Sequence, residues 1–184
     1  RRGKRLDHKD HVDLLSAGIP APRGTEPVWL DIGSGTGAFT LALAELLGPG
    51  AHIYSVDRDR SALAIQEREM NRRFPGVKLQ TIVADFTDLP DLPQLDGIVA
   101  ANSLHFVRRE RLTTVISGLK QCLAPNGRFI VVEYNTDTGN QWVPYPFSYA
   151  SWVRIAAQAG FAHTKLLAHR PSRFLGEIYS ALSV

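Results

Sequence analysis

The sequence predicts an α/β protein built on a mostly parallel sheet, and three observations lead there. Short apolar runs of strand length alternate with amphipathic stretches of helix length. A glycine-rich turn joins the first apolar run to the stretch that follows it, at Gly33-Ser34-Gly35-Thr36-Gly37. The last two strand-like runs are joined by too few residues for a parallel crossover, so they close the chain as an antiparallel hairpin.

Each element has a local cause. Val28 to Ile32 is a nearly continuous apolar run, as expected of a strand covered on both faces, and Phe39 to Leu47 has helix length. His52 to Val56 is the second strand. The helix from about Ser61 to Phe74 can be capped by Asp59 and is stopped by Pro75-Gly76. Val77 to Val83 reads as a third strand and Ile98-Val99-Ala100 as the core of a fourth. Arg109 to Leu123 has helical spacing and ends at the turn signal Pro125-Asn126-Gly127, ahead of a fifth strand from Arg128 to Tyr134. Beyond it come a proline- and aromatic-rich loop from Asn135 to Phe147 and a helix from about Ser148 to Ala159. The hairpin strands follow at Phe161 to Ala168 and Arg173 to Leu182, turning around Pro171-Ser172. Leu6 to Ala17 reads as a helix and Gly18 to Pro27 as a linker. Residues 1–27 are therefore expected to be a basic tail, helix and linker, a candidate lid, ahead of one domain over 28–184.

Composition sets outer limits. A chain of 184 residues with 44% hydrophobic and 21% charged side chains has the balance of a single globular domain. No apolar run is long enough to span a bilayer, and no secretory-type apolar segment follows the basic start. Cys122 is the only cysteine, which excludes intrachain disulfides and makes a cytoplasmic setting the expectation. Four of the 21 Lys and Arg residues are Arg1, Arg2, Lys4 and Arg5; the remaining 17 face 18 acidic residues. A near-neutral body gives no support for a nucleic-acid partner.

The glycine turn is the first candidate site. Glycines between a strand and a helix let backbone amides approach a ligand closely at a helix N-terminus. Gly33-x-Gly35-x-x-Ala38 also satisfies the loose dinucleotide pattern, and Asp57 stands where a ribose-binding carboxylate would, at the end of the second strand. The loop by itself admits either a dinucleotide or S-adenosylmethionine.

Further residues resemble a known family. Val28 to Gly37, with an acidic Asp31 before alternating glycines, resembles the first motif of the class I S-adenosylmethionine-dependent methyltransferases. Asp31 suits a cofactor bearing an α-ammonium and a sulfonium, whereas beside a pyrophosphate it would be repulsive. Ala84-Asp85-Phe86 resembles the family's adenine site, and Ala101-Asn102-Ser103-Leu104-His105-Phe106 its fourth motif. The resemblance continues through Leu123 to Glu133 and the terminal hairpin. It implies a three-layer Rossmann-like sandwich with a seven-stranded sheet in the order 3-2-1-4-5-7-6, strand 7 antiparallel. It further implies S-adenosylmethionine as donor, S-adenosylhomocysteine as product, and cofactor contacts from Asp31, Gly33, Ser34, Gly35, Gly37, Asp57, Arg58, Asp85, Phe86 and Asn102.

Acceptor chemistry is read mainly by elimination. Ala101 to Leu104 is not the Asn-Pro-Pro-aromatic signature of planar-amine methylation, and no Pro-Cys nucleophile is present; Cys122 lies in a helix pattern and is expected to pack. Metal-dependent chemistry would want several carboxylates after the fourth strand. The pair His8 and His11, spaced i,i+3, reads as a charged helix face. His105 and Glu133 are the candidate catalytic groups, since a histidine near neutrality at a strand end can serve as general base. Ser103, Tyr134, Trp142, Tyr145 and Arg173 are candidate pocket residues, with Arg170 beside the hairpin turn. Methyl transfer to a small-molecule acceptor is the leading function. A nicotinamide-dependent oxidoreductase, for which no Tyr-x-x-x-Lys pair is found, and a noncatalytic cofactor-binding protein are the alternatives.

Overall fold

The computed structural model describes residues 5–21 and 26–184. Arg1, Arg2 and Lys4 of the basic tail, and residues 22–25 of the linker, lie outside the described residues.

The chain runs α1 (His8–Ser16), β1 (Val28–Ile32), α2 (Ala38–Leu47), β2 (His52–Asp57), α3 (Arg60–Arg73), β3 (Lys78–Val83) and β4 (Leu95–Ala101). It continues through a 3-10 turn at Leu104–Phe106, then α4 (Arg109–Gln121), β5 (Leu123–Tyr134), α5 (Tyr149–Gln158), β6 (Thr164–Ser172) and β7 (Gly176–Ser183). The seven strands form one sheet in the order β3-β2-β1-β4-β5-β7-β6, with β7 antiparallel to both neighbours. The expected topology is the observed one.

Apolar side chains of successive strand residues fall on opposite faces. Trp29, Ile53, Val99, Ile130 and Val132 pack against α1 and α2 on one side. Leu30, Ile32, Ile98, Phe129 and Val131 pack against α4 and α5 on the other, where Phe129 stacks on Trp152 at 5.7 Å. Helix α2 is buried nearly all round because α1 lies across it. Leu14 and Leu15 of α1 are fully buried in that layer, and a capping box between Asp7 and Asp10 starts the helix. The predicted candidate lid is thus built into the core at α1. His8 bonds Glu45 and His11 leans on Phe39, so neither ring of the histidine pair stands free.

Three boundaries differ from the sequence reading. Strand β5 begins at Leu123 instead of Arg128, because Pro125-Asn126-Gly127 forms an irregularity inside the strand: Leu95 pairs with Leu123 but Gly97 with Arg128, and Asn126 takes a φ of 65°. The hairpin turns at 173–175 instead of at Pro171-Ser172, both of which pair with β7. Strand β6 starts at Thr164; Phe161 is a buried core side chain against Phe129. The third crossover, 84–94, carries no helix, which leaves β3 lightly covered. Cys122 caps α4 and is half-buried, its thiol toward the Gly118 carbonyl. Among the described residues no helix is long and apolar enough to cross a membrane.

One register contact supports the centre of the sheet. Trp29 pairs with Gly97, and a Cβ on Gly97 would lie 2.4 Å from the buried indole. We expect Gly97→Ala to cost about 1 to 3 kcal/mol by overpacking, measured by urea unfolding; an unchanged midpoint would mean that the ring is free to move aside.

Candidate active site

Strand β1 lies between β2 and β4, the point where chain order reverses and a crevice opens at the carboxyl ends of the strands. A cavity of about 380 Å³ opens there, lined among others by Gly33, Asp57, Arg58, Asp85, Phe86, Asn102 and Ser103. The ends of β1, β2, β3 and β4 all reach it.

The loop after β1 is held from both sides. Gly33 and Gly37 have φ of +63° and +92°, a region that other residues rarely adopt. A Cβ on Gly33 would lie 2.5 Å from the Ser103 Cβ, and one on Gly37 would lie 2.4 Å from Cγ of Gln66. Gln66 is fully buried and donates from Nε2 to the Ser34 hydroxyl and to the Gly35 carbonyl. Ser55 also donates to the Ser34 hydroxyl, at 2.6 Å. Ser34 therefore anchors the loop from below, and neither it, Gly35 nor Gly37 lines the cavity. Sequence reading missed Gln66, although an amide on the stripe Ala62, Leu63, Gln66, Met70 of an amphipathic helix was a visible signal.

Asp31 lies behind the loop and is 1% exposed. One oxygen accepts from Thr40 Oγ1 at 2.6 Å; the other, Oδ1, is buried without a hydrogen-bond partner. Burial pushes the carboxyl up to about 7, against the pull of the Thr40 hydroxyl and with a push from Asp57. At the end of β2, Asp57 accepts from the Gly35 amide at 2.8 Å and from the Asp59 amide, which fixes its carboxylate at the cavity wall. Asn102, at φ 53°, turns the chain out of β4; its Oδ1 and the Ser103 hydroxyl are also buried and unpartnered.

Asp85 is more engaged than its expected adenine contact requires. It accepts from the Thr87 amide and hydroxyl and from Arg58. Partial burial works to raise its pKa, but these donors outweigh it and hold the carboxyl below its ordinary value. Arg58 thus reaches the cavity as the partner of Asp85.

Beyond the cavity, His105 and Glu133 come together as a buried pair. His105 Nδ1 lies 3.0 Å from both Glu133 oxygens, and Glu133 Oε1 also accepts the Tyr134 amide. Facing a carboxylate, Nδ1 carries the proton and leaves the lone pair on Nε2. The His105 ring packs against Phe106, which does line the cavity, and lies 6.1 Å from the Tyr134 ring. The Tyr145 amide donates to the His105 carbonyl, tying the loop after β5 to this corner. Trp142 is exposed and Tyr145 half-buried. Arg173 lies in the hairpin turn over Phe174, whereas Arg170 is held by Asp10 and Asp13 of α1.

Comparison with known proteins settles the family. The family model described as a methyltransferase domain matches residues 30–127, just over half of the chain. The chain belongs to the class I S-adenosylmethionine-dependent methyltransferases. This methyltransferase domain is 29% identical over 119 residues to a probable cobalt-precorrin-6B C(15)-methyltransferase (decarboxylating) from Methanothermobacter thermautotrophicus, covering 64% of the chain and 58% of that protein. It is 30% identical over 98 residues to a release factor glutamine methyltransferase from Thermosynechococcus vestitus, covering 52% of the chain and 33% of that protein. The domain spans between 28% and 58% of the length of the curated relatives it matches. Among solved structures it resembles the Burkholderia thailandensis 1,6-didemethyltoxoflavin-N1-methyltransferase with bound S-adenosylhomocysteine, at a TM-score of 0.68 and 20% identity, over 87% of this chain and 72% of that one. It also resembles magnesium protoporphyrin IX methyltransferase of Synechocystis with bound S-adenosylmethionine, at a TM-score of 0.63 and 19% identity, over 87% and 71%. At these identities the likeness is one of fold.

The domain's residues fit the family's cofactor. Asp31 Oδ1 and Asn102 Oδ1 are buried without partners, acceptors that a cationic or donor group would complete, and the Asp57 carboxylate at the cavity wall has lone pairs for hydroxyl donors. Leaving such buried atoms unpaired costs about 1 to 3 kcal/mol each. Asp31 also yields a pH prediction. An acid with its folded pKa raised to about 7 keeps its proton longer in the folded state, so its contribution is favourable below about pH 4 and is lost as pH rises towards 7. The stability of Asp31→Asn relative to the parent should therefore rise from pH 4 to pH 8, by up to roughly 4 kcal/mol, in paired denaturant titrations. A pH-independent difference would place Asp31 in water.

Proposed function

We propose that this chain transfers a methyl group from S-adenosylmethionine to a small-molecule acceptor. The cofactor would occupy the cavity at the ends of β1 to β4, and the acceptor the adjoining corner at the ends of β4 and β5. The observation that carries the reading is Asp31. A buried carboxyl with one unpartnered oxygen behind the glycine loop favours an ammonium nearby over a pyrophosphate.

When bound, S-adenosylmethionine supplies an electrophilic methyl and a neutral leaving group. The protein's part is to align the acceptor and, where its nucleophile carries a proton, to remove it. Asp57 is placed to accept from ribose hydroxyls, Asp85 and Phe86 to flank the adenine, and Asn102 to accept from the amino-acid end. His105 suits the base role: Glu133 fixes its tautomer and stabilises the imidazolium formed on protonation at Nε2. Tyr134, Tyr145, Trp142, Ser103 and Arg173 are the acceptor-side residues. A small acceptor agrees with the direct connections between strands, which leave the corner without an added substrate-binding domain over 28–184. The solved relative holding 1,6-didemethyltoxoflavin and S-adenosylhomocysteine together supports the same class of acceptor. The single thiol, Cys122, suits a reducing compartment such as the cytoplasm.

Calorimetric titration with S-adenosylhomocysteine and, separately, NADH tests the reading. Binding of the former and none of the latter is expected, and Asp57→Ala should weaken it about tenfold to a hundredfold, as for a lost bond to a charged group. Binding of NADH alone would overturn the proposal. Once an acceptor is in hand, His105→Ala should lower turnover about a hundredfold or more while leaving S-adenosylhomocysteine affinity intact; unchanged turnover would remove His105 from the chemistry.

A further inference from the structure

Strand order sets out the cavity from one side to the other. With the amino-acid end of the cofactor at Asn102 after β4 and its ribose at Asp57 after β2, the base falls towards the end of β3. Arg58, Asp85, Phe86 and Thr87 line the same cavity on that side. Their hydrogen-bonding groups are partly used and partly free, and the free ones form a pattern.

Asp85 is the centre of that pattern. Each oxygen of an ionised carboxylate accepts through two lone pairs. On Oδ1 both are taken, by the Thr87 amide at 2.9 Å and the Thr87 hydroxyl at 2.8 Å. On Oδ2 one is taken, by Nη2 of Arg58, and one is left. The oxygen that can still accept from a ligand is therefore the one that already holds the guanidinium, so a group bonded there lies beside Arg58. Arg58 has five N–H donors, and its guanidinium has no other hydrogen-bond partner among the described residues. Its side chain is 75% exposed, which leaves the remaining donors open. The Phe86 amide likewise has no hydrogen-bond partner among the described residues. The wall thus offers a donor at Arg58, an acceptor at Asp85 Oδ2 and a donor at Phe86.

Adenine carries the complement along one edge, where N7 accepts, the exocyclic amino group donates and N1 accepts. We infer that Arg58 selects the base of the cofactor, its guanidinium donating to adenine N7 while Asp85 Oδ2 accepts from the amino group and the Phe86 amide donates to N1. This rests on the methyltransferase reading and adds a specificity-determining residue to its cofactor site. The ion pair with Asp85 orients a long, exposed side chain before the base arrives, so less rotamer freedom is lost on binding. Asp85 alone would accept from any amino group. With Arg58 beside it, the site favours an amino group that has a ring acceptor next to it. A purine with a carbonyl in place of the amino group would set oxygen against oxygen at Asp85.

Calorimetric titration of the parent chain and of Arg58→Met isolates that bond. The ligands are S-adenosylhomocysteine, its 7-deaza analogue, in which a C–H group replaces N7, and its 1-deaza analogue, in which a C–H group replaces N1. Methionine keeps an extended side chain that can cover the base but donates no hydrogen bond. We expect the parent to bind the 7-deaza compound about threefold to tenfold more weakly than S-adenosylhomocysteine. Arg58→Met should bind the two alike, while the weakening caused by removing N1 stays the same in both chains. Equal affinity of the parent for S-adenosylhomocysteine and its 7-deaza analogue overturns the inference. So does a 7-deaza penalty that persists in Arg58→Met, the result expected if the guanidinium only stacks on the base, and so does a 1-deaza penalty that disappears there, which would put the guanidinium at N1. Failure of S-adenosylhomocysteine itself to bind the parent would instead overturn the methyltransferase reading beneath it.

Discussion

A carboxylate held inside the protein, with one oxygen bonded to Thr40 and the other unpartnered, is the interaction on which the rest of the site depends. An ionised group in such a place is unfavourable unless something positive faces it. On the proposed reading, Asp31 is an interior group that a cationic ligand would complete. Its position explains why the glycine loop above it is packed so tightly from β4 and α3. A loop free to move would open Asp31 to water and remove the charge preference it imposes.

The sheet supplies the rigid frame for that arrangement. Because β1 lies between β2 and β4, the ends of four consecutive parallel strands converge on one crevice, and each delivers a polar side chain: Asp31, Asp57, Asp85 and Asn102 in chain order. The same topology brings β5 and the hairpin alongside, so that Glu133 reaches His105 across 28 residues of sequence. The cavity at the ends of β1 to β4 and the His105–Glu133 corner are thus neighbours by strand order. The first is a cavity in the sheet's crevice, the second a corner that holds the buried His105–Glu133 pair.

Most of the fold was legible because local signals and the two hydrophobic periodicities agreed. Asp59, Gly37 and Ser148 stand at helix starts, and the apolar runs alternate between faces. The departures share one physical origin. Proline and glycine mark turns by local preference, yet Pro125-Asn126-Gly127 is carried within a strand because the residues flanking it, Leu123 and Arg128, pair with β4, and Pro171 pairs with β7 on the outermost strand, where tertiary contacts decide. In the site, the residues facing the ligand region were readable as strand-end motifs. The supports were not: Gln66 and Thr40 act through contacts between elements distant in sequence, and Arg58 engages Asp85 across 27 residues. The His105–Glu133 partnership likewise depends on the neighbouring positions of β4 and β5, although each residue was separately visible.

The central claim is that Asp31 gives up its proton when a positively charged ligand group arrives. Calorimetric binding of S-adenosylhomocysteine at pH 6.5, repeated in buffers of different ionisation enthalpy, measures that proton directly. With a free carboxyl at about 7, the account predicts release of roughly 0.8 proton per site, and none in Asp31→Asn. Binding with no linked proton release in the parent chain would contradict it.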